Sequence, residues 1–92
     1  MPRFLIEIPH EASKAACERA VQALMSTGSH LLTNADWGCP DDEHKAWIVV
    51  DIESKEAAAT LIPPQFRQDA KVITLQNFSL DTAEETSDLY HQ

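Results

Sequence analysis

The 92-residue chain sets 15 acidic against 7 basic side chains, a formal net charge of −8, so a nucleic-acid backbone or an anionic membrane repels it. A hydrophobic content of 43% with only two glycines argues for a folded globule, and the length allows one small domain. No apolar run reaches the roughly 18–20 residues of a membrane span, and two cysteines are too few for a disulfide framework.

The N-terminal "MPRFLIEIPHE" lacks the basic and apolar regions of a secretory signal, so a cytoplasmic protein is expected. Residues 3–8 alternate instead. Phe4, Ile6 and Ile8 share one face and Arg3, Leu5 and Glu7 the other, a strand ended by Pro9. In the next stretch Ala16, Cys17, Ala20, Val21 and Leu24 form a helical stripe, with Ser13 as N-cap and Gly28 in the left-handed position that ends the helix. Within that stripe Cys17 reads as a small buried hydrophobe.

Residues 30–37 and 44–52 read as strands joined by the turn-forming "GCPDDE". Ser54 opens a short helix over 54–62, stopped by Pro63-Pro64, and residues 70–78 form a fourth strand. Asp81 and Glu84 have capping-box spacing for one helical turn within an acidic tail, residues 81–92, expected to be mobile. The order β-α-β-β-α-β predicts an α+β, ferredoxin-like domain over residues 1–80, with two helices on one face of a four-stranded antiparallel sheet.

In this element order and length, residues 3–78 resemble the dimeric α+β barrel superfamily. The resemblance implies chains paired sheet to sheet. The same scaffold carries isomerases, cofactor-independent oxygenases, haem and chlorite enzymes and non-catalytic ligand sensors, so the fold alone does not choose a function.

Strand parity separates two faces. Ala46, Ile48, Val50 and Ile52 belong against the helices, while Lys45, Trp47, Val49 and Asp51 belong to the open face. Placing Trp37 opposite His44 sets Asp36 against Lys45, Asn34 against Trp47 and His30 against Asp51, with Trp37 packed on the helix side. The open face then mixes Leu5, Leu32, Trp47, Val49, Val72 and Phe78 with polar groups that include Thr74 and Gln76. A partly wet homodimer interface suits that mixture.

His30 with Asp51 is the expected acid/base pair, the carboxylate fixing the imidazole tautomer. A cross-strand salt bridge is the bland alternative. Glu7, Asn34 and Trp47 are expected to line a ligand cavity beside it. His10, at the strand-to-helix turn, is expected to be exposed to water. Cys39 and His44, with Asp41, Asp42 and Glu43 between them, carry metal-ligand chemistry, but one cysteine is short of a closed zinc site, which takes four ligands. The loop therefore reads as a hairpin turn first, with His10 or His91 as further candidate ligands. No cofactor motif is visible.

These features predict a homodimer binding a small organic molecule, acting as a cofactor-independent isomerase or a monooxygenase-like enzyme. A non-catalytic ligand-binding or interaction module is the alternative, and a metal-binding protein the third reading.

Overall fold

The computed structural model describes residues 1–78, so the expected turn at 81–84 and the acidic tail lie outside the described residues. β1 (Arg3–Pro9) runs through the middle of a four-stranded antiparallel sheet of order β2-β3-β1-β4, with β3 spanning Lys45–Asp51 and β4 Lys71–Leu75. The result is an α+β domain with an open sheet and four helices among the described residues. No helix among those residues is long and apolar enough to cross a membrane.

Alternation in β1 and β3 sets the faces as expected. Phe4, Ile6 and Ile8 are buried on the same side as Ala46, Ile48 and Val50, because Phe4 pairs with Val50, Ile6 with Ile48 and Ile8 with Ala46. Burying each large aliphatic side chain stabilises the fold by about 1.5–3 kcal/mol. The layer above is α1 (Lys14–Met25), which contributes Ala16, Ala20 and Leu24 at four-residue spacing. Ser13 caps it by accepting a hydrogen bond from the Ala16 N–H at 3.0 Å. The helix ends at Met25, and Gly28 takes the left-handed conformation, φ 72°, two residues beyond the Ser26 C-cap. Ser54 caps α3 (Lys55–Thr60) in the same way, through the Ala57 N–H.

The strand expected over residues 30–37 is corrected. His30–Thr33 forms α2, and β2 is only Asp36–Trp37. Ser29 supplies the reason, accepting from the Leu32 N–H as an N-cap, while Thr33 Oγ1 and Asn34 Nδ2 both donate to the His30 carbonyl. These local polar bonds outcompete a ladder. Leu32 consequently joins the core instead of the open face.

The pairing of β2 with β3 also differs from the expected register by two residues. Asp36 pairs with Trp47 and Trp37 with Ala46, so the parity holds and Trp37 does pack against the core. In β4 the parity itself is reversed. Ile6 pairs with Val72 and Leu5 with Ile73, which puts Val72 and Thr74 on the helix side and Lys71, Ile73 and Leu75 on the open face. Both sets in "KVITL" mix polar and apolar residues, so alternation alone carries no preference there. Pro63-Pro64 ends one helix and starts another: α4 is Pro64–Arg67, with proline at its first position where no N–H is needed.

Candidate metal centre

The β1–β3 ladder runs out at the pair Pro9–Lys45, and one further backbone bond, from the His10 N–H to the His44 carbonyl at 3.0 Å, continues it. Even-numbered residues of both strands face the helices, so His10 and His44 follow Ile8 and Ala46 onto that side. Their rings lie 5.7 Å apart edge to face, and Trp37 stands against His10 with ring centroids 6.0 Å apart.

The hairpin loop brings a third group. Residues Cys39–Asp41 form a 3₁₀ turn after Gly38, and Asp42 takes a left-handed conformation, φ 60°, that aspartate tolerates. The Gly38 carbonyl accepts from both the Asp41 and Glu43 N–H groups, and the Gly38 N–H donates to Lys45. A glycine is required here: a Cβ at residue 38 would sit 2.6 Å from the Glu43 carbonyl oxygen and 2.6 Å from Trp47 Cη2. The tight turn aims the Cys39 thiol at His10.

One ligand atom from each of His10, Cys39 and His44 lies within 4.8 Å of the others. His10 is oriented by its surroundings. Its Nδ1 is 2.9 Å from the Glu11 carbonyl, which can only accept, so Nδ1 carries the proton and Nε2 presents its lone pair to Cys39 Sγ at 3.2 Å. A ring N–H held by a backbone carbonyl is the outer-shell arrangement common to metal-ligating histidines. Among the described residues, His44 Nδ1 is buried and has no hydrogen-bond partner. All three residues are half-buried.

A tetrahedral zinc ion with bonds near 2.3 Å to sulfur and 2.0–2.1 Å to nitrogen separates those two atoms by about 3.5 Å. The observed 3.2 Å is close to that spacing before any ion is bound. Cys17, on α1, is a half-buried free cysteine outside that 4.8 Å group. The neighbouring Cys39 thiol, and then burial, push the Cys17 thiol up to about 11.

The other expected site residues separate. His30 is exposed on α2, whereas Asp51 lies at the far end of β3 on the open face, where it binds Arg3. The expected His30–Asp51 pair is therefore not assembled, because the segment carrying His30 is helix and never reaches β3 as a strand. The Arg3 guanidinium donates to both Asp51 oxygens at 2.9 and 3.3 Å, and that bond holds the Asp51 carboxyl below its usual range. Glu7 and Trp47 do meet, the indole Nε1–H donating to Glu7 Oε1 at 3.1 Å, with Lys45 Nζ 3.8 Å from the same oxygen. Asn34 is spent capping α2. A cleft of about 630 Å³ opens at the opposite end of the sheet, between Arg3, Asp51, Leu75 and Asn77, and includes neither Glu7, Asn34 nor Trp47.

The grouping of His10 with Cys39 and His44 depends on the β1–β3 register, a pairing between distant segments that no local spacing reveals. The available signal was parity: His10 and His44 each stand one residue outside a strand end on its apolar face. Comparison of the chain with protein-family models, curated proteins and solved structures finds no match.

Proposed function

We propose that this protein is a small metal-binding domain whose ion is held by His10, Cys39 and His44 at the end of the sheet. The observation that carries the reading is convergence: three nitrogen and sulfur donors from two chain segments within 4.8 Å, one oriented by a backbone carbonyl. The buried His44 Nδ1, without a partner among the described residues, adds to it, since a buried imidazole nitrogen without a partner is costly. Mixed imidazole and thiolate donors favour zinc among abundant divalent ions and exclude magnesium and calcium, which take oxygen ligands. The net charge of −8, with Asp41, Asp42 and Glu43 exposed on the same loop, attracts a cation. A reducing cytoplasm suits thiol ligands.

The strand order β2-β3-β1-β4 with the β-α-β-β-α-β succession supports a ferredoxin-like assignment. The open face supports a homodimer. Val49, Leu5 and Ile73 stand in one cross-strand row, with Val49 56% and Ile73 41% exposed, and a second copy covers such a row sheet to sheet. A small-molecule ligand in the Arg3–Asp51 cleft belongs to this second reading.

Calorimetric titration of metal-free protein with zinc tests the metal reading. Expected is one ion per chain, with binding lost in both Cys39→Ser and His44→Ala and weakened in His10→Ala. At free zinc about a hundredfold above Kd, the ion raises stability by about 2.7 kcal/mol. No binding, or binding indifferent to all three substitutions, overturns the proposal.

A further inference from the structure

A recess of about 290 Å³ opens where the end of β1 meets α1 and α4, and neither Cys39 nor His44 lines it. Its origin is steric. The buried stripe of α1 is small at this end, with Ala16 and Ala20, and becomes large only at Leu24. The helix start therefore leaves room beside Pro9 and His10. Across the gap Pro63-Pro64 turns the chain into α4, whose Phe66 lines the far side and packs against the core. Backbone bonds hold both sides. The Glu11 carbonyl accepts from the Ser13 N–H at 2.9 Å, and the Pro63 carbonyl from the Phe66 N–H at 2.9 Å.

The lining carries both signs of charge over that apolar floor. Arg19 stands three residues after Ala16, on the same side of α1, and supplies the guanidinium. Glu11 and Asp69 supply carboxylates. Among the described residues none of these three side chains is in an ion pair, whereas Arg67, at the end of α4, is bound to the Ile62 carbonyl at 2.7 Å. A simple acid in the recess would meet two like charges, and a simple amine would meet Arg19; each is disfavoured by repulsion. A molecule carrying one group of each sign satisfies both. Size narrows the class further, since about 290 Å³ lies at the foot of the roughly 300–1,000 Å³ range of small-molecule sites, room for about one amino acid rather than a peptide.

We infer that this recess binds a free amino acid with an apolar side chain. Arg19 takes the carboxylate in its two-pronged fork, Asp69 and Glu11 take the ammonium, and Phe66 with Ala16 receives the side chain. The site goes beyond the metal reading and requires no ion.

The test is NMR titration of the isotope-labelled 92-residue chain with L-phenylalanine. Expected is saturable binding with Kd of about 1 mM or tighter. Shifts should concentrate at the Ala16 methyl and the Phe66 and His10 rings, with Val49 and Ile73 on the open face unmoved. Phenylpropionate, which lacks the ammonium, and phenethylamine, which lacks the carboxylate, are each expected to bind about tenfold more weakly. Arg19→Gln is expected to lose about tenfold toward phenylalanine without weakening phenethylamine, and Asp69→Asn to weaken phenylalanine without weakening phenylpropionate. That selectivity is one a general loss of structure would not produce. No saturation at about 10 mM phenylalanine, equal binding of either analogue, shifts lying elsewhere, or an affinity indifferent to both substitutions overturns the inference. The metal reading is decided separately, by Cys39→Ser and His44→Ala, neither of which touches the recess.

Discussion

Gly38→Ala separates steric demand from backbone freedom at the hairpin. Gly38 sits at φ −93°, ψ 3°, a conformation alanine adopts without strain, so any effect comes from the added methyl group. That methyl would lie 2.6 Å from the Glu43 carbonyl oxygen, 2.6 Å from Trp47 Cη2 and 2.7 Å from Glu43 Cβ. The indole can swing, but the carbonyl is held. It accepts from the Lys45 N–H at 2.8 Å, while the Glu43 N–H donates to Gly38 at 3.0 Å. Relieving the overlap disrupts about two such bonds at about 1 kcal/mol each, within the roughly 1–3 kcal/mol usual for overpacking. A loss of about 2 kcal/mol lowers Tm by about 8–16 °C in a domain of this size. Gly28→Ala is the control. A Cβ there meets nothing within 4 Å, and the cost is the left-handed backbone alone, about 1–2 kcal/mol. Thermal unfolding measures both losses, and zinc titration distinguishes them: Gly38→Ala displaces Cys39 and weakens binding at least tenfold, whereas Gly28→Ala leaves affinity unchanged. Gly38→Ala within about 0.5 kcal/mol of wild type, with unaltered zinc affinity, would refute the reasoning.

Val49→Glu, at the β3 end of the Val49–Leu5–Ile73 row, is expected to convert a dimer to a monomer by light scattering with little change in melting, since the side chain is already 56% exposed. A wild type monomeric at micromolar concentration refutes the interface. Arg3 lowers the Asp51 carboxyl from its ordinary 3.8, so the pair contributes stability above that value and loses it as pH falls through the lower folded-state value. Both groups are exposed, so the effect is small. An NMR titration should show Asp51 moving upward in Arg3→Gln, and an unmoved midpoint sinks the coupling.

Where the sequence was legible, a single local rule dominated. Phe4, Ile6 and Ile8 alternate without exception, as do Ala46, Ile48 and Val50, and both strands follow. Ser13 and Ser54 precede helices they cap. Where two rules competed, the reading failed. "SHLLTN" has enough leucine and threonine for a strand, yet Ser29 and Asn34 close a helical turn at its two ends. That exchange of strand for helix removed His30 from the sheet and dissolved the expected pair with Asp51. The His10–Cys39–His44 group was hidden for a different reason. Cys39 and His44 lie close in sequence, but His10 reaches them only through pairing across the chain.

The placement of the cluster fixes what an ion bound there would join. β2 contributes only two residues to the sheet, so the hairpin is held to the core by two pairs, Asp36–Trp47 and Trp37–Ala46, and by bonds internal to its loop. His10, Cys39 and His44 sit where the ladder stops, and on the proposed reading an ion held by them joins the strand end to the hairpin at one point. On that reading, binding energy goes into ordering the docking of the strand end and hairpin, as in other small domains whose core is modest for their surface. The exposed apolar row lies on the opposite face of the same sheet. The proposed metal site and the proposed dimer face therefore occupy separate surfaces, and substitutions at one are expected to add to substitutions at the other.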